Sequence, residues 1–132
     1  MLDERALSAA LATLRRAYMA LSEVRDLTQE LTQAVERQDQ VSVQLFLRLR
    51  LEQLNQLQEY RDLLAKQCRD LPKEAGETLR GILEARECPI PDGQTLFQLA
   101  KQYRQLLKRT IQADMVLNRR MGGKNSYYAG KR

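Results

Sequence analysis

From Asp3 to about Arg37 the apolar residues Leu7, Leu11, Leu14, Tyr18 and Leu21 recur at alternating intervals of four and three, the spacing of one helix face. Val24, Leu27, Leu31 and Val35 continue the stripe with a changed phase. This predicts a seam that drifts around the helix and departs from a single strict heptad register. A helix of this length, on the order of 50 Å, needs a partner of similar length to be stable in water.

The polar run Glu36-Arg37-Gln38-Asp39-Gln40 predicts a tight reversal, with Asp39 as the N-cap of the next helix. The stretch from Val41 to Leu51 alternates apolar and polar residues with period two and, taken alone, reads as a strand. It runs without a turn signal into Leu54, Leu57, Leu64 and Cys68 at helical spacing, and a lone strand would lack a ladder partner, so it is assigned to a second long helix. In that helix Val41, Leu45 and Leu49 form one apolar stripe while Val43, Leu47, Leu51 and Leu54 form another. Two neighbouring helices would cover both; otherwise one stripe is left as a client or dimer surface.

Asp70-Leu71-Pro72 marks the start of a short third helix, with Ala75, Leu79, Ile82 and Leu83 facing the bundle and Gly76 and Gly81 weakening it. The run Glu87-Cys88-Pro89-Ile90-Pro91-Asp92-Gly93 is the clearest break in the chain. A last long helix follows from about Gln94 to Arg120, with Leu96, Leu99, Tyr103, Leu106, Leu107, Thr110, Ile111, Leu117 and Met121 as its apolar face. The pattern predicts an all-α, elongated antiparallel helical bundle: two long N-terminal helices, a short third helix and a long C-terminal helix. Residues 1–121 form a single domain, and 122–132, opened by Gly122-Gly123, are expected as a flexible basic tail.

Composition agrees with helices, at 43% hydrophobic and 30% charged residues with no Trp and only three Pro. The net charge of +5 is carried by Arg119, Arg120, Lys124, Lys131 and Arg132, which leaves residues 1–118 balanced and expected to be neutral. No apolar stretch approaches the roughly 20 residues of a membrane span, and the N-terminus lacks a signal pattern, so a cytoplasmic chain is expected. Cys68 and Cys88 are expected as free thiols, Cys68 packed in the core.

Catalytic chemistry finds little to work with. The chain has no histidine, which removes the commonest general base and most zinc and di-iron ligand sets. Glu23, Asp26 and Glu30 share a helix face, but that spacing also builds solvated faces, and no metal or other cofactor is expected. Gly122-Gly123-Lys124 follows a helix and lacks the spacing of a P-loop. An enzyme is therefore not expected, and the chain reads as a protein-binding module. The cationic tail with Tyr127 and Tyr128 leaves a tail-mediated nucleic-acid regulator as the weaker alternative.

Two segments carry a family resemblance: Val35-Glu36-Arg37-Gln38-Asp39 leading into Leu47-Arg48-Leu49-Arg50, and Leu117-Asn118-Arg119-Arg120 followed by Gly122-Gly123 and Tyr127-Tyr128-Ala129-Gly130. With the order of helices, they make the chain resemble the FlgN-like flagellar hook–filament junction chaperones over nearly its whole length. The period-two stretch from Val41 and the break at Pro89–Pro91 depart from that pattern. The resemblance implies a cytoplasmic chaperone that binds the amphipathic terminal helix of a hook-associated protein before type III export, with contacts to the export apparatus compatible with that role. It places client binding on Leu106, Leu107, Ile111, Met115, Leu117, Asn118, Met121, Tyr127 and Tyr128. Pattern alone reads Leu106, Leu107 and Ile111 as core, and favours Met115 and Met121 as adaptable contacts. A filament-cap chaperone or a helical adaptor is the alternative within the same class, and a homodimer through Val41, Leu45 and Leu49 stays open.

Overall fold

The Asp3 carboxylate begins the first helix by accepting from the Ala6 amide at 2.9 Å, one of the donors that a helix start leaves without an intrahelical partner. The computed structural model describes residues 2–122 as α1 (Glu4–Glu36), α2 (Gln40–Arg69), α3 (Lys73–Leu83) and α4 (Gln94–Gly122), with a 3₁₀ turn at Pro91–Gly93. No strand occurs among the described residues, and the period-two stretch from Val41 is the first part of α2. The expected tail, residues 122–132, lies outside the described residues apart from Gly122.

The long helices run alternately up and down the bundle axis, as an antiparallel hairpin followed by a returning third helix. α1 lies between the other two and packs along both. Its buried residues are Leu7, Leu14, Leu21 and Thr28, then Ala10, Ala17, Val24 and Leu31, then Thr13, Ala20, Leu27 and Ala34. Each set repeats every seven residues, so the seam keeps one strict heptad register and does not drift. The alanines and threonines occupy core positions that a count of large apolar residues passes over, while Leu11 and Tyr18 sit at the margins, half-buried. Three core positions per heptad make a face wide enough for two helices, and the small side chains among them allow close approach.

α2 turns Val43, Phe46, Arg50, Gln53, Leu57, Tyr60, Leu64 and Gln67 inward at the same alternating intervals of three and four. Only Val43, Leu57 and Cys68 of this helix are buried. The reversal between α1 and α2 satisfies both helix ends at once. Asp39 N–H donates to Ala34 O at 2.9 Å and Gln38 N–H to Val35 O at 3.1 Å, with Gln38 at φ 58°. The Asp39 side chain then caps α2, accepting from the Ser42 amide at 3.1 Å and hydroxyl at 2.6 Å. These bonds hold its carboxyl below the ordinary 3.8, the Ser42 hydroxyl acting most strongly.

α3 buries Ala75, Gly76, Leu79, Gly81 and Ile82. A Cβ at Gly76 would overlap the Cys68 carbonyl oxygen, so the glycine that lowers helix propensity is what lets α3 dock on the end of α2. Cys68 and Cys88 are free thiols. Cys68 is buried, which pushes its thiol pKa up against the opposing charge of Arg80.

The core falls into two parts. One extends from Leu7 to Leu21 on α1 and takes in Leu57, Cys68, Leu79, Ile82, Leu96, Ala100 and Leu106. The other, at the opposite end, is Leu31, Ala34, Val43, Leu117 and Met121, with Val35, Phe46 and Leu47 against it. No described helix is long and apolar enough to cross a membrane.

Candidate functional site

A polar layer crosses all three long helices between the two halves of the core. Thr28 of α1 is fully buried and donates to Val24 O at 2.7 Å, so its hydroxyl oxygen is left to accept from Arg50 Nε of α2 at 2.9 Å. The same guanidinium donates through Nη2 to Asp114 Oδ1 of α4 at 2.5 Å, with the two side chains 11% and 32% exposed. Asn118, one turn on, reaches Asp114 Oδ2 at 3.5 Å, and its own Oδ1 is buried without a partner among the described residues. A charged group in a bundle core is stable only when paired and hydrogen-bonded, and this arrangement does both.

The layer also defines a surface. α2 and α4 do not pack backbone against backbone; the Arg50–Asp114 pair joins them across a gap. On α2, Leu47, Leu51 and Leu54 follow at intervals of four and three and share one flank, and Leu47 packs against the cluster that contains Leu117 and Met121 of α4. On α4, Leu107, Ile111, Met115 and Asn118 make the opposing flank. The shallow valley between them faces away from α1, with the ion pair at its floor. Leu51, Ile111 and Met115 are 55%, 52% and 53% exposed, and Leu47, Leu54 and Leu107 are half-buried. A band of large apolar side chains this exposed is not explained by packing among the described residues.

The residues named from the sequence divide accordingly. Leu106, Leu117 and Met121 are buried on the α1 side of α4, where they hold the helix in place. Leu107, Ile111, Met115 and Asn118 line or border the valley. Tyr127 and Tyr128 lie outside the described residues. Of the two α2 stripes, Val41 and Leu45 are exposed and Leu49 half-buried, whereas the other runs from buried Val43 through Leu47 and Leu54 to exposed Leu51. Neither is fully covered.

Sequence reasoning passed over the polar layer and the sorting of charge. Residues 1–118 are balanced in total, yet α4 carries Lys101, Arg104, Lys108, Arg109, Arg119 and Arg120 against one carboxylate, Asp114. Summing charge helix by helix would have exposed this. Tyr103 reports it locally: burial pushes its phenol pKa up, while the charges of Arg61 on α2 and Arg104 on α4 oppose the rise.

Other depressions are shallow and open. One between α1 and α2 is lined by Arg16, Met19, Ala20, Glu23, Gln53, Gln56 and Tyr60, and two lie where α4 starts beside α1. Among the described residues no three His, Cys, Asp or Glu side chains gather as a metal site requires. Comparison with protein-family models, with characterised proteins and with solved structures finds no match for this chain.

Proposed function

We propose that this chain is a cytoplasmic export chaperone that binds hook-associated proteins of the flagellar hook–filament junction before type III export, and that it acts by binding, without catalysis. The apolar band across the α2–α4 valley is the observation that supports a binding role most directly. A client helix laid there would cover Leu51, Ile111 and Met115 and complete a bundle to which the described residues contribute three long helices. Methionine suits such a surface because it repacks around different partners. The flagellar assignment rests on the resemblance of the reversal and of the α4 end with its Gly-Gly and Tyr-Tyr segment.

Size-exclusion co-elution of the purified full chain with purified hook-associated proteins tests the reading. A stable complex is expected, weakened when the chain ends at Arg120 and when Ile111 and Met115 are both changed to Ser. Absence of any complex with hook-associated proteins would remove the flagellar reading and leave a helical adaptor. The cations of α4 favour one second reading, a nucleic-acid regulator, which requires an affinity that falls steeply with salt and does not depend on Ile111 or Met115.

A further inference from the structure

We infer that the α2–α4 valley selects an amphipathic partner helix that is acidic along the flank it turns toward α4. This rests on the reading that the valley binds protein, and adds the chemistry of the partner.

The argument is one of charge placement. Asp114 is the only carboxylate of α4, and Arg50 engages it at the valley floor. Along the outer rim of the α4 wall, Arg104, Lys108, Ile111, Met115 and Arg119 follow at intervals of four, three, four and four, so cations bracket the apolar pair at both ends. Among the described residues no carboxylate pairs with Arg104, Lys108 or Arg119. The exposed side of α2 carries Arg48 and Arg61 but also Glu52, Glu59 and Asp62, the last accepting from Gln58 Nε2 at 2.9 Å through Oδ1, so the excess positive charge lies on the α4 side. A helix seated on Leu51, Ile111 and Met115 therefore has uncompensated positive charge along its flank, and a partner with Glu or Asp there gains on-rate and discrimination that a basic or neutral helix loses.

Other occupants fit less well. The chain's own residues 123–132 bring Lys124, Lys131 and Arg132, like charges against the α4 rim. A nucleic acid would meet Ile111 and Met115 where a backbone-tracking surface presents cations or aromatic stacking platforms. A second copy could offer the acids of α1, Glu23, Asp26 and Glu30, but only with its own valley turned elsewhere or closed by a two-fold axis.

The test uses the full chain and two designed amphipathic peptides of about 20 residues with the same leucine stripe. One is flanked by Glu and the other by Lys, and binding is read by fluorescence anisotropy. The Glu peptide is expected to bind about tenfold or more tightly than the Lys peptide, and the difference to shrink as salt screens it. Arg104→Glu with Lys108→Glu should reverse the preference. Ile111→Ser with Met115→Ser should weaken both peptides, while Met19→Ser, an exposed apolar residue on α1 away from the valley, should change neither. All substituted side chains are exposed, and an unchanged circular dichroism melt confirms that each variant folds.

Equal affinity for the two peptides, or binding of neither, overturns the inference. So does displacement of the Glu peptide by a single-stranded oligonucleotide that ignores Ile111→Ser. A concentration-dependent dimer abolished by Ile111→Ser would assign the valley to a second copy, and an equal gain for both peptides when the chain ends at Gly122 would assign it to the tail. If hook-associated proteins bind but the peptides are not discriminated, the inference fails and the proposed function stands. Discrimination of the peptides without binding of hook-associated proteins gives the reverse.

Discussion

The two ends of the bundle are built from the same three long helices and are packed differently. At the end where α1 starts, α3 and the Pro91–Gly93 turn add further layers to the core that holds Leu7, Leu14, Leu79, Ile82 and Leu96. At the end where α1 stops, Leu31, Ala34, Val43, Leu117 and Met121 have, among the described residues, only α1, α2 and α4 to share. Between them the Thr28–Arg50–Asp114 layer interrupts the apolar core. A hydrophobic contact is indifferent to small sliding, but a hydrogen-bonded ion pair has one geometry, so the layer fixes the register of three helices at a cost in core continuity. The halves are thereby expected to differ in how readily they open, and the exposed band straddles the layer, with Leu47 and Met115 on the sparser side and Leu51, Leu107 and Ile111 on the other.

The largest effect should come from truncating a core leucine in each half. Leu79→Ala removes a fully buried side chain from the better-surrounded end, where the cavity has little room to collapse, and is expected to cost about 4 kcal/mol. Leu117→Ala, equally buried, should cost about 2–3 kcal/mol because the open end can close over the gap. Urea unfolding followed by circular dichroism measures both. Equal losses would mean that the two ends are one packing unit.

Next in size is the layer itself. Arg50→Ala leaves the Thr28 hydroxyl and the Asp114 carboxylate without their guanidinium partner and should cost about 2 kcal/mol, less than for a fully buried pair because Asp114 is partly solvated. Arg50→Met, which keeps the stem, should cost less and loosen register. Native-state amide exchange reads the difference: the α4 amides after Asp114 should exchange faster in Arg50→Met while those near Leu96 are unchanged. Uniform acceleration along α4 would show that the layer does not separate the halves.

These contrasts also explain what the sequence could disclose. Helix number, order and limits follow from leucine spacing, from Asp3 and Asp39 as caps and from the proline-rich break, all local signals written in single residue types. The strict register of α1 is harder to see because Ala10, Ala17, Ala34, Thr13 and Thr28 are core residues by position and not by composition; only a partner helix reveals that. The polar layer is less legible still. Arg50 and Asp114 are 64 residues apart and each looks like an ordinary surface charge until the helices place them 2.5 Å apart. For the candidate site, the spacing puts Ile111 on the apolar face of α4, whereas the structure leaves both Ile111 and Met115 exposed, and the α2 wall reads only as one of two stripes. Which stripe faces α4 depends on the rotation of α2 about its axis, which the period-two stretch from Val41 obscures.

A pH effect attaches to the α1–α2 reversal, at the sparser end. The Asp39 carboxyl is held below its ordinary value by Ser42, so its ionised form is favoured in the folded chain. A depressed carboxylate stabilises the fold above its unfolded value of about 3.8 and loses that contribution as pH falls through the lower folded value. Acidification should therefore fray the α1–α2 reversal. An Asp39→Asn chain should show a weaker dependence in this range, seen by comparing melting temperatures across the acid limb. A slope unchanged by Asp39→Asn would place the acid sensitivity elsewhere.

The smallest effect is a gain. Gln38 adopts φ 58°, a left-handed conformation that a side chain disfavours, because the two backbone bonds closing α1 require it there. Gln38→Gly removes the Cβ penalty and keeps both bonds, though it also loosens the unfolded chain, so the net stabilisation should be only about 0.5 kcal/mol. Ala85 stands at the same φ at the end of α3, closing an equivalent pair of bonds, but its side chain packs against the larger core. Ala85→Gly should therefore gain less than Gln38→Gly, or lose, because the methyl group contributes burial that Gln38 does not. If the two substitutions shift the urea midpoint equally, backbone strain decides both sites, and the packing difference between the two ends stops short of their helix termini.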